Sequence, residues 1–328
     1  MTAPEQHGTP RRRVAVLGGT GWVGRHVCAA LAARGDDVLV VARHPAEHVR
    51  PHAFERLDLA EASEARLTAL LGDHRIDAVV NATDALNATD GWTRGEAELH
   101  ALNVALVHRL LAAMSALPRR TRVVHIGTLH EYGDVPAGTL IDESLPPRPA
   151  SAYARTRLAG SRAVLDAVRA GRVEGLVLRV ANVCGPHPSP ASFPGKLVGM
   201  LRRALAAGEP MTVVLADARR DFVDVRDVAD AVVRAVRSPA TGHALNIGSG
   251  EAVDLRTLVR LFVTGAGHPV GLIDERTRAD TGLGGTWTKT DVRLAARLLG
   301  WRPRTALADS LRDMWTVATR EDPLQAGA

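Results

Sequence analysis

An α/β fold, a doubly wound parallel sheet with a smaller C-terminal lobe, is what the sequence predicts, on three observations. The chain opens with a strand, a glycine turn, a helix and a second strand, the makings of a βαβ unit of about 30 residues. Strand-like and helix-like segments then alternate as far as residue 180, which implies parallel strands joined by crossover helices. Past Asn182 the texture changes to a Pro-, Ser- and Gly-rich stretch that leaves the alternation. With 328 residues, 46% hydrophobic and 23% charged, the chain can bury a large core without disulfides or metal.

Residues 14–17 form the first apolar run and lead directly into Gly18-Gly19-Thr20-Gly21-Trp22-Val23-Gly24. An amphipathic stretch over 25–34, stopped by Gly35, predicts a helix, and residues 37–42 a second buried strand. Further strands are expected at 77–81, 122–126 and 175–180, with helices at 96–116 and 153–170. Beyond them, 196–207, 225–237 and 255–263 read as helices, separated by short apolar pieces at 211–215 and 244–247. The expected organisation is a flexible arm over 1–12, a main domain over 13–183, a lobe over 184–319 with some segments returning to the sheet, and a flexible tail over 320–328.

Composition narrows the function. The formal charge is +5, yet only Lys196 and Lys289 are lysines among 41 basic residues, a preference for Arg that matches GC-rich coding bias rather than a binding surface. Aromatics are 3% of the chain, too few for base-stacking platforms, so nucleic acid is not expected as a partner. Two cysteines, Cys28 and Cys184, provide neither a disulfide framework nor a cysteine zinc site, and no metal is expected. No apolar run approaches the roughly 18–20 residues of a membrane span, and residues 1–13 hold no apolar leader, so a cytoplasmic protein without membrane contact is expected.

Gly18, Gly21 and Gly24 stand at a strand-to-helix turn, where backbone N–H groups and the helix N-terminus can receive a pyrophosphate. This predicts a Rossmann-type dinucleotide site. At the end of the second strand an acidic residue would accept hydrogen bonds from an NAD ribose. Arg43 stands there instead, 19 residues beyond Gly24, and a guanidinium suits a 2′-phosphate, so NADP (as NADPH) is expected over NAD. Tyr153 and Arg157 lie one helical turn apart, and a cation so placed is expected to lower the phenol pKa for proton transfer. Thr128 ends the strand over 122–126 in a hydroxyl-bearing turn, at the edge of the crevice where parallel sheets bind ligands.

These motifs resemble an extended short-chain dehydrogenase/reductase of the nucleotide-sugar epimerase/dehydratase type. The resemblance spans residues 13–316. Besides the glycine turn, Thr128 and Tyr153, it includes Leu57-Asp58-Leu59, Asn103-Val104, Arg179-Val180-Ala181-Asn182-Val183-Cys184-Gly185-Pro186, the segment 220–229 (RDFVDVRDVA), the segment 245–250 (LNIGSG) and Leu299-Gly300-Trp301-Arg302-Pro303. It implies that Gly18, Thr20, Gly21, Trp22, Val23 and Gly24 hold the cofactor, that Asp58 and Leu59 border its adenine, and that Asn81, Ala82 and Thr83 line the end of the third strand. It also implies that Thr128 bonds the reacting oxygen, that Tyr153 is the general acid/base, and that Asn182, Arg220 and Arg278, with Lys196, hold a nucleotide-diphosphate sugar. A homodimer packed through the helices at 96–116 and 153–170 is implied as well.

One departure stands out. The family has lysine four residues after the tyrosine, where this chain has Arg157, which keeps the charge and can bond the nicotinamide ribose but does not relay a proton. Sugar 4,6-dehydratases of the family carry Asp-Glu directly after the catalytic threonine. Leu129 and His130 occupy those positions and Glu131 comes one residue late, so dehydration is disfavoured. The expectation is an NADPH-dependent ketoreductase acting on the C4 ketone of an NDP-4-keto-6-deoxyhexose in deoxysugar, antibiotic-type biosynthesis. The alternatives are an NDP-sugar epimerase, a tailoring ketoreductase of polyketide or aromatic ketones, and a non-catalytic NADP sensor.

Overall fold

The computed structural model describes residues 11–84, 95–278 and 285–320. In chain order the strands are β1 (Arg13–Leu17), β2 (Asp37–Ala42), β3 (Ala53–Arg56), β4 (Ala78–Asn81), β5 (Arg122–Thr128), β6 (Glu174–Val180), β7 (Asn182–Cys184), β8 (Met211–Ala216), β9 (Arg219–Arg220), β10 (Phe222–Asp224), β11 (His243–Ile247), β12 (Val253–Asp254) and β13 (Ile273–Arg278). The helices are α1 (Trp22–Ala33), α2 (Glu64–Asp73), α3 (Glu96–His100), α4 (Leu106–Ser115), α5 (Ala152–Arg169), α6 (Phe193–Ala207), α7 (Val225–Arg237), α8 (Leu255–Gly265), α9 (Arg293–Leu299) and α10 (Leu307–Arg320).

Seven strands form one parallel sheet in the order β3-β2-β1-β4-β5-β6-β11, the Rossmann-type arrangement expected. The order reverses between β1 and β4, where Leu17 lies level with Val41 on one side and Asn81 on the other. That reversal opens a crevice at the carboxyl ends of the strands. Alternate strand residues feed two cores. Val14, Val16 and Val40 meet α1 and α7 on one face, whereas Ala15, Leu17 and Val41 meet α2, α4 and α5 on the other. Full burial of each such valine or leucine contributes roughly 1.5–3 kcal/mol, which fixes the register of the strands.

α7 shows why the periodic helices form where the sequence places them. Asp224 caps its first turn through Arg226 N–H at 2.7 Å, and Val225, Val228, Ala229, Val232 and Val236 present one buried stripe. β11 returns from the distal half to pair with β6, burying Leu245 and Ile247. A third core, with Leu197, Leu201, Val213, Leu258, Phe262 and Met314, packs α6, α8 and α10 on the β8–β13 pair.

The structure differs from the expected elements in several places, including α2, α9, α10 and β13, which were not expected; three further differences have a clear physical reason. The helix expected over 96–116 runs over Glu96–His100, a π turn at Ala101–Ala105 and Leu106–Ser115. The π turn accompanies a close approach: a Cβ on Gly160 of α5 would run into the Asn103 carbonyl oxygen. β3 was not expected, because Ala53–Arg56 is a partly exposed edge strand with one large apolar residue. The stretch expected as loop after Asn182 begins with β7, which is too short to show periodicity and exists through its pairing with β10.

Candidate functional site

The glycine turn caps the crevice. Gly18 sits at φ +76°, a left-handed conformation, and a Cβ there would lie 3.0 Å from the Ala82 carbonyl oxygen. Its N–H donates to Val41 O at 3.0 Å, and the Gly21 N–H donates to Gly18 O at 3.0 Å. A Cβ on Gly24 would collide with the Gly18 carbonyl oxygen. α1 therefore starts close against the turn, with Gly21 as an N-cap that has no side chain and no acid in the first turn. Its leading N–H groups, at Trp22, Val23 and Gly24, are the ones a helix leaves for an outside acceptor. The arrangement, with Thr20 inside the turn, fits the pyrophosphate of NAD(P). The Trp22 ring is turned elsewhere, donating Nε1–H to Pro186 O at 2.8 Å, so any cofactor contact from Trp22 is through its main chain. Gly24→Ala is expected to abolish saturable NAD(P)H binding in a fluorescence titration, and tight binding by that variant would refute the close fit.

Arg43 follows β2, is exposed, and makes no ion pair among the described residues. Asp58 is exposed and accepts from Ala60 N–H at 3.0 Å, whereas Leu59 is buried beside it with its carbonyl accepting from Arg109 at 3.2 Å. Asn81 is buried at the end of β4. Its Oδ1 accepts from Thr83 N–H at 3.2 Å and Thr83 Oγ1 at 2.7 Å, and its Nδ2 donates to His125 Nδ1 at 3.2 Å. These bonds hold Ala82 and Thr83 against the glycine turn.

Thr128, Tyr153 and Arg157 lie on β5 and α5. Thr128 caps the 3-10 turn Leu129–Tyr132, with Oγ1 accepting from His130 N–H at 3.3 Å, so its own hydroxyl proton remains to be donated. α5 is capped by Ser151, and Tyr153 lies in its first turn. The Tyr153 hydroxyl donates to Asp84 Oδ2 at 3.4 Å, and its ring meets that of His130 edge-on with centroids 6.3 Å apart. Asp84 carries no motif, and sequence reading missed it.

Arg157 corrects an expectation. The side chain is 3% exposed and its donors go to the protein: NH1 to Thr83 O at 2.9 Å and Asn103 Oδ1 at 3.3 Å, NH2 to Ile126 O. Nε is buried and has no partner among the described residues. Its charge does favour the Tyr153 phenolate. Burial and the Asp84 carboxylate outweigh it, so the phenol pKa is raised above its ordinary value rather than lowered.

Glu131 and Tyr132, which end the turn, face away from the crevice. Glu131 is completely buried and paired with Arg179 of β6 at 2.9 Å. Tyr132, also buried, donates to Asn246 Oδ1 and accepts from Arg179 NH1, each at 2.9 Å. At its late position the Glu131 carboxylate is in this ion pair rather than at the crevice.

On the lobe side, Asn182 donates Nδ2–H to Asp221 O at 3.0 Å, adjoining Arg220, which donates to Gly285 O at 3.0 Å. Arg220 is near enough for its charge to act on His130, whose ring meets that of Tyr153. Lys196 is exposed on the first turn of α6, and no described hydrogen bond or ion pair of its side chain ties it to the others. Arg278 ends β13, level with Ala216 of β8, and its side chain lies outside the described residues.

Burial holds three histidines near the site neutral: His26 at about 4, His125 at about 3 and His130 at about 4, the last reinforced by Arg220. Below their ordinary value of about 6.5 the unfolded chain takes up protons that the native one refuses. The melting temperature is therefore expected to fall as pH drops from about 6.5 towards 4, and a flat profile over that window would contradict the burial of these rings.

A doubly wound sheet with a glycine turn at its switch point, and a Thr–Tyr pair beside it, defines an NAD(P)-dependent short-chain dehydrogenase/reductase of the extended type. Residues 14–248 match the family model "NAD dependent epimerase/dehydratase family", and the chain belongs to that family. It is 40% identical over 319 residues to a dTDP-6-deoxy-L-talose 4-dehydrogenase (NAD(P)(+)) from Kitasatospora kifunensis, covering 97% of this chain and 98% of that one. It is 28% identical to a dTDP-L-rhamnose 4-epimerase from Burkholderia thailandensis, covering 94% and 96%. The fold matches UDP-glucuronic acid 4-epimerase from Bacillus cereus, solved with UDP-glucuronic acid and NAD, at TM-score 0.81 and 21% identity, covering 94% of this chain and 100% of that one. Among the described residues, no helix is long and apolar enough to cross a membrane.

Proposed function

We propose that the chain is an NADPH-dependent ketoreductase that reduces the C4 ketone of an NDP-4-keto-6-deoxyhexose. The observation that carries this reading is that the turn after β5 offers the crevice Thr128, with Tyr153 across from it on α5, while its carboxylate, Glu131, is withdrawn into an ion pair. That equipment suits hydride and proton transfer at one carbon, and lacks the acid–base pair that dehydration requires. The likeness to a 4-dehydrogenase supports it, because oxidation of a C4 alcohol and reduction of a C4 ketone share one transition state.

Bound NADPH supplies the hydride. Tyr153 donates its phenolic proton to the ketone oxygen, leaving Asp84 as it does so, and Thr128 donates its hydroxyl to the same oxygen. Arg157 holds the ends of β4 and β5 beside them. Arg220 and Asn182, with Lys196 and Arg278 from the lobe, bind the diphosphate. We place the protein in deoxysugar biosynthesis in the cytoplasm, as a homodimer formed through α3–α4 and α5.

Arg43 carries the NADPH preference. Arg43→Ala is expected to raise the KM for NADPH about 10–100-fold, the worth of charge-assisted bonds to a phosphate, with the KM for NADH within about twofold. An equal effect on both cofactors would remove the 2′-phosphate from its role.

The test of the whole reading is NADPH oxidation with freshly made dTDP-4-keto-6-deoxyhexoses. Turnover with stoichiometric NADPH loss supports reduction. Interconversion of C4 epimers without net NADPH loss would favour the epimerase reading that the Burkholderia relative suggests. Activity on aromatic ketones that survives Arg220→Ala would point to a tailoring reductase, and NADPH binding without turnover to a sensor.

A further inference from the structure

Glu131 has no part in the chemistry so far, yet its carboxylate is a hub. Oε1 accepts from Thr128 N–H at 3.1 Å and from Ser161 Oγ at 2.8 Å, and Oε2 accepts from Arg179 Nε at 2.9 Å. These donors belong to three different elements: β5, α5 and β6. The carboxylate fits because position 127 is glycine, where a Cβ would lie 2.5 Å from Oε1. With both oxygens occupied and no surface exposed, Glu131 has no route to a substrate proton.

Its position on α5 gives the hub a direction. Tyr153, Arg157 and Ser161 recur every four residues and form one stripe of the helix. Arg157 fastens that stripe to Ile126, one residue before the Gly127–Thr128 step, and Ser161 fastens it to Glu131, three residues after it. The same carboxylate closes the capping box on the Thr128 N–H, which keeps Thr128 extended (φ −143°, ψ 150°) with its hydroxyl at the crevice. Arg179 is held in turn by Tyr132, whose hydroxyl bonds Asn246 of β11.

We propose that Glu131 is a positioning residue: it locks the Thr128 main chain to the helix that carries Tyr153, and so sets the distance between the two groups that share the reacting oxygen. The inference rests on the ketoreductase reading for its effect on rate, but the lock itself is a property of the chain.

In Glu131→Gln a single amide oxygen faces three donors, and Arg179 loses its counter-ion. That variant is expected to lower kcat about 10–100-fold, with the Kd for NADPH within about twofold. Should it fail to fold, Ser161→Ala removes only the tie to α5 and is expected to cost about 3–10-fold in kcat. The discriminating arm is the Thr128→Ala background. A group that acts through Thr128 costs nothing further in kcat once Thr128 is gone, so non-additive losses support the lock and multiplying losses overturn it. A second readout needs no turnover: amide exchange at Thr128 should accelerate in either variant, and unchanged protection would overturn the proposal. A wild-type protein that reduces no 4-keto sugar would therefore remove the ketoreductase reading alone, and the exchange experiment would still decide on the lock.

Discussion

Replacing Tyr153 with phenylalanine is expected to lower kcat for ketone reduction by about 10²–10⁴-fold, the usual share of a positioned general acid. The ring remains: Tyr153 is 6% exposed and packs on Leu99, contacts that phenylalanine keeps. The hydroxyl's hydrogen bond to Asp84 is long, at 3.4 Å, so the melting temperature should shift by no more than a few degrees. If the glycine turn holds the cofactor as proposed, NADPH binding should be unchanged. The electrostatics make a second expectation. Because burial and Asp84 raise the phenol pKa, the acid form that reduction needs is fully populated at neutral pH and is lost only far into the alkaline range. The reduction rate should therefore hold level from about pH 7 to 9, while the reverse oxidation, which needs the phenolate, should climb with pH over the same window. Asp84→Asn should bring the phenol pKa down, read as tyrosinate absorbance. A phenylalanine variant within tenfold of wild type would mean that another group delivers the proton, and His130, with its ring 6.3 Å away, would be the first to examine.

The parts of this fold that could be read in the sequence are those fixed by local chemistry. The glycine turn is legible because its backbone conformation and close approaches admit little else, and α7 because its stripe of valines repeats at the helical period. β3, by contrast, is an edge strand whose only large apolar residue is Phe54, and β7, β9, β10 and β12 are two or three residues long and are made by their partners. The same division runs through the site. Thr128, Tyr153 and Arg157 stand out by spacing, but where the Arg157 fork goes depends on the ends of β4 and β5 and on a π turn in a different helix. Reading an arginine one turn from a tyrosine gives the sign of its charge effect. It does not give the burial and the Asp84 carboxylate that outweigh it, because both come from tertiary packing. Glu131 lies between these cases: a count of one residue shows that it cannot stand where a dehydratase base stands, and only the packed structure shows Arg179 and Ser161 waiting for it.

Arg157→Lys restores the residue that the family resemblance calls for, and it is nevertheless expected to damage the protein. The guanidinium reaches three acceptors at once, on the end of β4, on β5 and on the π turn, from a position 3% exposed. An ammonium is one point with a single centre, and cannot span that set from the same backbone position. At least one carbonyl is left buried and unmatched, at a cost of about 1–3 kcal/mol, so thermal or urea unfolding should show a loss of that size. The kcat should fall with it, because Thr83 and Ile126 frame the crevice between the glycine turn and Thr128. Arg157→Ala removes every donor and should cost more on both counts. These outcomes separate two roles that the charge alone cannot. If Arg157 were a cation aimed at the cofactor ribose, the lysine variant would keep its stability and match or exceed the wild-type rate, and it would tighten the KM for NADPH. If Arg157 is the strut that its hydrogen bonds describe, stability and rate fall together while the KM for NADPH stays within about twofold, and the departure from lysine is a structural commitment of this chain that its own backbone carbonyls require.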